Sequence, residues 1–206
     1  MQLQNPLAVL VPTLDALVLD TVTRANGEPL DAAALARSIG RSYTGTRETL
    51  ERLVRQGIVL SQSIGRTRIY SMNTSHLLAP MIIEMVNARR LFVETLRARS
   101  SQIFTEEPAY SALFGSAARG EMREDSDIDV FLLRRRGSSD DVFEGEAQEF
   151  MREITALTGN TASALIYGEE EISAMRSQRV FTDIMRDGIA ITGTVGDFRR
   201  LLREAA

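Results

Sequence analysis

Apolar residues recur along the chain at two kinds of interval, helical and strand-like, and the change from one to the other sets out its elements. After Pro12, the spacing of Leu14, Leu17, Val18 and Val22 predicts a helix that the turn Asn26-Gly27-Glu28-Pro29 stops. Leu35 and Ile39 lie one turn apart in a second helix, with Asp31 suited to cap its start and Gly40 to end it. A third helix over 43–56 turns Leu50, Leu53 and Val54 inward and stops at Gly57. Segments 58–63 and 66–72, joined by a turn at Ile64-Gly65, read as two strands. A long helix is expected next, from residue 77 or 80 to 98, with Met81, Met85, Phe92 and Leu96 along one side and Val86 and Leu91 in a second row. Beyond it, strands (109–114, 128–133, 162–167, 189–192) alternate with helical segments (117–122, 142–158, 171–186, 197–203). The pattern predicts an α+β chain with a domain over 1–76, a connector helix over 77–100 and a second domain over 101–206.

Composition narrows the chemistry. With 44% apolar and 25% charged residues the chain can build cores, and with no cysteine it has neither disulfides nor thiolate metal sites, which fits a reducing cytoplasm. No leader-like segment and no membrane-spanning apolar run stand out, so no membrane association is expected. The net charge of −4 is unevenly spread. Seven arginines against Glu48 and Glu51 give residues 32–72 a balance of +5, whereas sixteen arginines against twenty-two acids give −6 from Met81 onward. A basic patch on an otherwise acidic chain is the electrostatic footprint of a nucleic-acid face. His76 has no partner at ligand spacing and is assigned no chemistry.

The order helix, helix, turn, helix and hairpin, with the sequence of residues 35–59, resembles the winged helix-turn-helix of MarR- and ArsR-like regulators. That resemblance covers about the first seventy-five residues and implies that the third helix enters the major groove of DNA. Ser42, Tyr43, Thr44, Thr46 and Arg47 would then face outward, and Arg66 and Arg68 would meet phosphate or minor groove. It also suggests two roles for the long helix, as a homodimer interface or as a connector packed on its own chain.

The segment with the most chemistry runs from Leu113 to Leu133. A strand delivers Gly115-Ser116 to a helix start, where free amides and the positive dipole end favour an anion. Glycine lets the backbone approach a phosphate, Ser116 adds a donor, and Arg119 is placed to pair with a triphosphate oxygen. After ten intervening residues from Ser116, Asp127 and Asp129 flank Ile128 at the start of an apolar strand, and period-2 alternation puts both carboxylates on one face. Such a pair can share Mg²⁺ with the phosphates of a nucleotide. Together these residues resemble the minimal nucleotidyltransferases of the DNA polymerase β-type superfamily, over roughly 108–172.

The resemblance implies a nucleotidyltransferase fold with a short mixed sheet, ATP or another NTP as substrate, and two Mg²⁺ ions. Gly115, Ser116 and Arg119 would bind the nucleotide phosphates, and Asp127 and Asp129 would be the catalytic metal ligands. Minimal nucleotidyltransferases commonly act as antitoxins that modify a HEPN-type toxin, so a protein acceptor is implied, with DNA as a second partner through the winged helix. One position departs from the pattern: the third carboxylate of the family aligns with Ser163, and Glu169, Glu170 and Glu171 follow just after. Two readings remain, a regulatory antitoxin-like nucleotidyltransferase and a transcriptional regulator whose degenerate transferase domain binds nucleotide without catalysis.

Overall fold

The computed structural model describes residues 1–172 and 178–204. By its internal contacts the chain divides into two units, one formed by Gln2 with Gln4–Arg89 and the other by Met1, Leu3 and the chain from Arg90 on.

In the first unit a short 3₁₀ turn, Pro6–Val9, precedes α1 (Leu14–Arg24), β1 (Leu30–Asp31), α2 (Ala32–Ile39), α3 (Tyr43–Arg55), β2 (Val59–Ile64), β3 (Thr67–Met72) and α4 (Ala79–Val86). The strands form an antiparallel sheet in the order β1-β3-β2. Val18, Leu35 and Leu50 are fully buried in its core. Burial of side chains this size contributes about 1.5–3 kcal/mol each. Local signals act as expected. The Asp31 carboxylate accepts from the Ala34 amide at 2.7 Å, and Gly40 ends α2 with φ of 63°. The hairpin turn sits one residue later than the sequence suggests, at Gly65-Arg66, because Ile64 pairs with Thr67. β1 was not foreseen: two residues are too few for periodicity, and its pairing with Ile69 and Tyr70 is a long-range contact.

The expected long helix is two helices, α4 and α5 (Ala88–Ile103). At Asn87 the backbone leaves the helical region (φ −86°, ψ 6°), and its amide is shared between the carbonyls of Ile83 and Glu84. The Val86 carbonyl, in the last turn of α4, instead accepts from the Arg24 guanidinium at 3.0 Å, and Arg24 is itself held by Asp20 at 2.7 Å. Each helix also answers to a different core. Ala79 and Val86 are buried within the first unit, and Phe92, Val93 and Leu96 within the second. Met81 and Leu91, expected in the apolar rows, are exposed.

The second unit continues from α5 through β4 (Tyr110–Phe114), α6 (Gly115–Arg119), β5 (Ile128–Arg134), α7 (Asp140–Thr158), β6 (Ala162–Gly168), α8 (Arg179–Asp187), β7 (Ile189–Thr192) and α9 (Val195–Glu204). The helix expected over 171–186 is described only in part, since residues 173–177 lie outside the described residues. The sheet order is β6-β5-β4-β7, parallel between β5 and β6 and antiparallel elsewhere. The whole is α+β with a short mixed sheet. Alternation along β5 builds a core on each face. Ile128, Val130 and Leu132 pack with Phe143, Phe150 and Ile154 of α7, and Phe131 and Leu133 with Phe181 of α8 and Phe198 of α9. By the same alternation Asp129 belongs to the Phe131 side. Among the described residues no helix is long and apolar enough to cross a membrane.

Candidate functional site

Three chain segments meet at one end of the second sheet. β4 runs out at Phe114 in extended conformation, and the chain turns into α6 at Gly115, whose φ is +67°. That value favours glycine, and space enforces it. A Cβ here would run into Asp129 Oδ2 and lie 3.4 Å from Asp129 Cγ. The turn is thus pressed against the carboxylate fourteen residues later, and the spacing in the sequence becomes contact in space. Ala117 and Ala118 anchor α6 by burial, while Ser116 is half-buried and its carbonyl accepts from the Glu121 amide at 3.0 Å. Arg119 is the last residue of a five-residue helix. It is exposed, and its Nε donates to Glu121 at 2.7 Å, an ion pair the sequence did not suggest. The Glu121 hydrogen bond, then the charges of Asp187 and Asp183 on α8, raise the guanidinium pKa further above its ordinary value.

Asp127, exposed, immediately precedes β5, and Asp129 is half-buried on it. Burial is the main force pushing the Asp129 carboxyl above the usual carboxylate range; a hydrogen bond from Ser163 lowers it, the Asp127 charge raises it and Arg119 lowers it. Ser163 stands directly opposite Asp129 in the parallel ladder, its hydroxyl 3.4 Å from Asp129 Oδ1. The position expected to carry a third carboxylate is therefore beside Asp129 and carries a hydroxyl. Among the described residues no group of three or more carboxylate or imidazole side chains could hold a metal. The donors present, two carboxylates, suit one hard divalent cation and supply no third charge for a second.

Glu169, Glu170 and Glu171 are elsewhere. They engage the Arg136 amide, Arg134 and the Gly168 amide, at the opposite end of β6 and about 16 Å along the ladder from Ser163. Asn160, which sequence reasoning missed, supports the Asp127 loop: its buried side-chain amide donates to the carbonyls of Ser126 (2.8 Å) and Glu124 (3.3 Å). Nothing local in the sequence marks it, since its partners lie 34 and 36 residues earlier.

In the first unit, Ser42 caps α3, accepting from the Gly45 amide at 3.3 Å, and Tyr43, Thr44 and Arg47 are exposed. Thr46 is not outward. It is fully buried, because 46, 50 and 53 fall at i, i+4 and i+7 on the apolar stripe, and its hydroxyl has no hydrogen-bond partner among the described residues. Arg66 and Arg68 are exposed on the hairpin. Arg68 donates to Ser61 Oγ at 3.0 Å and lies 5.8 Å from the centre of the Tyr70 ring.

Residues 93–185 match the family described as the nucleotidyltransferase domain. The matched stretch contains Gly115, Ser116, Arg119, Asp127, Asp129 and Ser163. Two toxin–antitoxin crystal structures are similar to the chain. One, with AMP-PNP, shows 16% identity over 56% of this chain and 82% of the other, with a TM-score of 0.38. The other, an MntA–HpeT mutant, shows 13% identity over 55% and 82%, with a TM-score of 0.39. TrmBL2, described as an archaeal chromatin protein with a novel mode of DNA binding, shows 14% identity over 90% of this chain and 78% of its own, with a TM-score of 0.32. No curated protein matches the chain.

Proposed function

We propose that the chain is a regulatory, antitoxin-like nucleotidyltransferase that takes a metal-bound NTP, most simply ATP, and moves its nucleotidyl group to a protein partner of the HEPN-toxin kind, while a winged helix binds DNA. The observation that carries the catalytic part is the Asp129 carboxylate set against the bare Cα of Gly115. It sets one metal-type ligand directly against the turn that leads into α6.

In this reading the backbone at Gly115 and the Ser116 hydroxyl bind the β and γ phosphates, and Arg119 exchanges Glu121 for a phosphate oxygen. Asp127 and Asp129 would hold the Mg²⁺. When bound, Mg²⁺ neutralises phosphate charge and lets an acceptor oxygen approach the α-phosphorus in line. The new P–O bond forms as the bond to the bridging oxygen breaks, pyrophosphate leaves with the electron pair, and the acceptor proton passes to solvent. Asn160 keeps the Asp127 loop in place.

A second reading is favoured by one observation, the Ser163 hydroxyl in the place of a carboxylate. A site so built binds nucleotide and turns over slowly, which suits a nucleotide-sensing regulator. Titration calorimetry with Mg·ATP, run beside transfer of label from α-labelled ATP to co-purified protein, separates the two. Binding with transfer supports the transferase, and binding without transfer supports the sensor. Asp127→Ala with Asp129→Ala is expected to weaken binding by more than about 100-fold, the loss of several charge-assisted contacts. Unchanged affinity in that variant overturns both.

A further inference from the structure

On the first unit, α3, the start of α2 and the hairpin line an open cavity of about 490 Å³ that neither reading of the transferase site uses. Its size is that of a small-ligand pocket. Arg47 enters from α3, Arg66 from the turn and Arg68 from β3, with Tyr43 and Tyr70 as aromatic lining. We propose that this cavity seats a single phosphate group, gripped jointly by Arg47 and the two hairpin arginines, with the tyrosines against the attached sugar or base.

The charge balance inside supports an anion. The lining holds three guanidinium groups against Asp31 and Glu51. One oxygen of Asp31 is committed to the Ala34 amide as a helix cap, and Glu51 makes a loose pair with Arg47 at 3.7 Å that leaves the outer nitrogens of Arg47 available. Arg66 has no hydrogen bond or ion pair among the described residues. Arg68 is oriented, by Ser61 on one side and the Tyr70 ring on the other. Ala32 and Ala33, the first two residues of α2, also line the cavity and add the positive end of a helix. Burial pushes the Tyr70 phenol above its usual range, so at neutral pH it remains a neutral donor. Planar guanidinium forks converging from two elements suit the oxygens of a phosphate better than a carboxylate-sized ion alone.

Two sources carry that chemistry, the backbone of a DNA duplex and a free nucleotide. The DNA arm rests on the winged-helix reading above; the nucleotide arm does not. Anisotropy of a labelled duplex is measured against salt for the full chain, Arg47→Ala, Arg68→Ala and the double variant, all exposed changes that leave the core intact. Counterion release is worth about 0.9 in the log–log slope per phosphate neutralised. A shared phosphate predicts that the double variant lowers the slope by about one unit in total. A fall of about one unit for each single change, and two for both, overturns the shared seat while leaving DNA binding standing. In parallel, equilibrium dialysis with 5′-AMP in EDTA, which silences the metal-dependent site, reads the second source. Uptake of AMP lost in Arg68→Ala, without duplex binding, keeps the seat and removes DNA from the function. Loss of neither duplex nor AMP binding in the double variant overturns the proposal.

Discussion

The parallel strands β5 and β6 carry acidic groups at both ends and treat them in opposite ways. At the C-terminal end Arg134 is nearly buried. Its guanidinium pairs with Glu170 and, at 2.9 Å, with Asp140, and also donates to the Ser138 carbonyl at 3.0 Å. Glu169 and Glu171 accept from backbone amides. Each of these four carboxylates has a partner, and the result is a closed loop junction. At the N-terminal end burial and the Asp127 charge raise the Asp129 pKa, and the cation that lowers it, Arg119, is tied to Glu121. Paired charge closes structure; under the proposed function, charge left in excess is what a cation and phosphates would neutralise.

The largest test of that contrast adds to the excess. If turnover is limited by the missing base, Ser163→Asp is expected to raise nucleotidyl transfer by about 10²–10⁴-fold, the usual worth of a positioned general base. The same change sets a third negative charge beside Asp129, so without metal the variant should melt at lower temperature than the native chain, and Mg²⁺ should restore the difference. Robust native transfer that Ser163→Asp leaves unchanged or lowers would place the proton acceptor elsewhere. The melting experiment still reports whether the charge entered the site.

At the other end the effect is on folding. Arg134→Met removes the shared partner of Glu170 and Asp140 and the donor to the Ser138 carbonyl, and is expected to cost about 1–3 kcal/mol in chemical denaturation. Glu170→Gln, an exposed partner, should cost less than about 1 kcal/mol. Equal losses would mean that the junction depends on the ion pair alone and not on the loop carbonyls. Neither variant should alter Mg·ATP affinity, since both lie about 16 Å from Asp129 along the ladder.

How much of this was legible in the sequence follows from the range of each contact. Gly115 and Asp129 could be read because a strand, a short turn and a second strand bring a fixed spacing back on itself, and Ile128 between two aspartates fixes their face. The capping of α2 by Asp31 and Gly40 could be read because caps are local. The break at Asn87 could not, because helical periodicity records that a residue is buried and not against which core. The pairing of Arg119 with Glu121 was missed because a phosphate partner was expected first. Asn160 and the two-residue β1 exist only through long-range partners. Thr46 is the instructive error: it shares a helical stripe with Leu50 and Leu53, and a polar side chain was read as outward where spacing placed it inward.

The smallest effect tests the electrostatics directly. Burial raises the Asp129 pKa in the folded state above its value in the unfolded chain. An acid shifted this way adds stability below the ordinary carboxylate range, and that stability is lost as pH rises through the raised pKa. At neutral pH the ionised side chain is therefore a burden on the free fold. Asp129→Asn removes the charge and keeps nearly the same shape, so the variant should melt slightly higher than the native chain at pH 7 without Mg²⁺. The shift should be small, given about 2–4 °C per kcal/mol in a chain of this size. It should shrink as pH falls into the carboxylate range, where native Asp129 becomes neutral as well. With Mg²⁺ and nucleotide the order should reverse, because the native chain gains binding stabilisation that the amide cannot match. A variant that melts lower than the native chain at neutral pH without metal would mean that Asp129 is a structural hydrogen-bond acceptor, held by Ser163, and that the two ends of β5 and β6 are built alike.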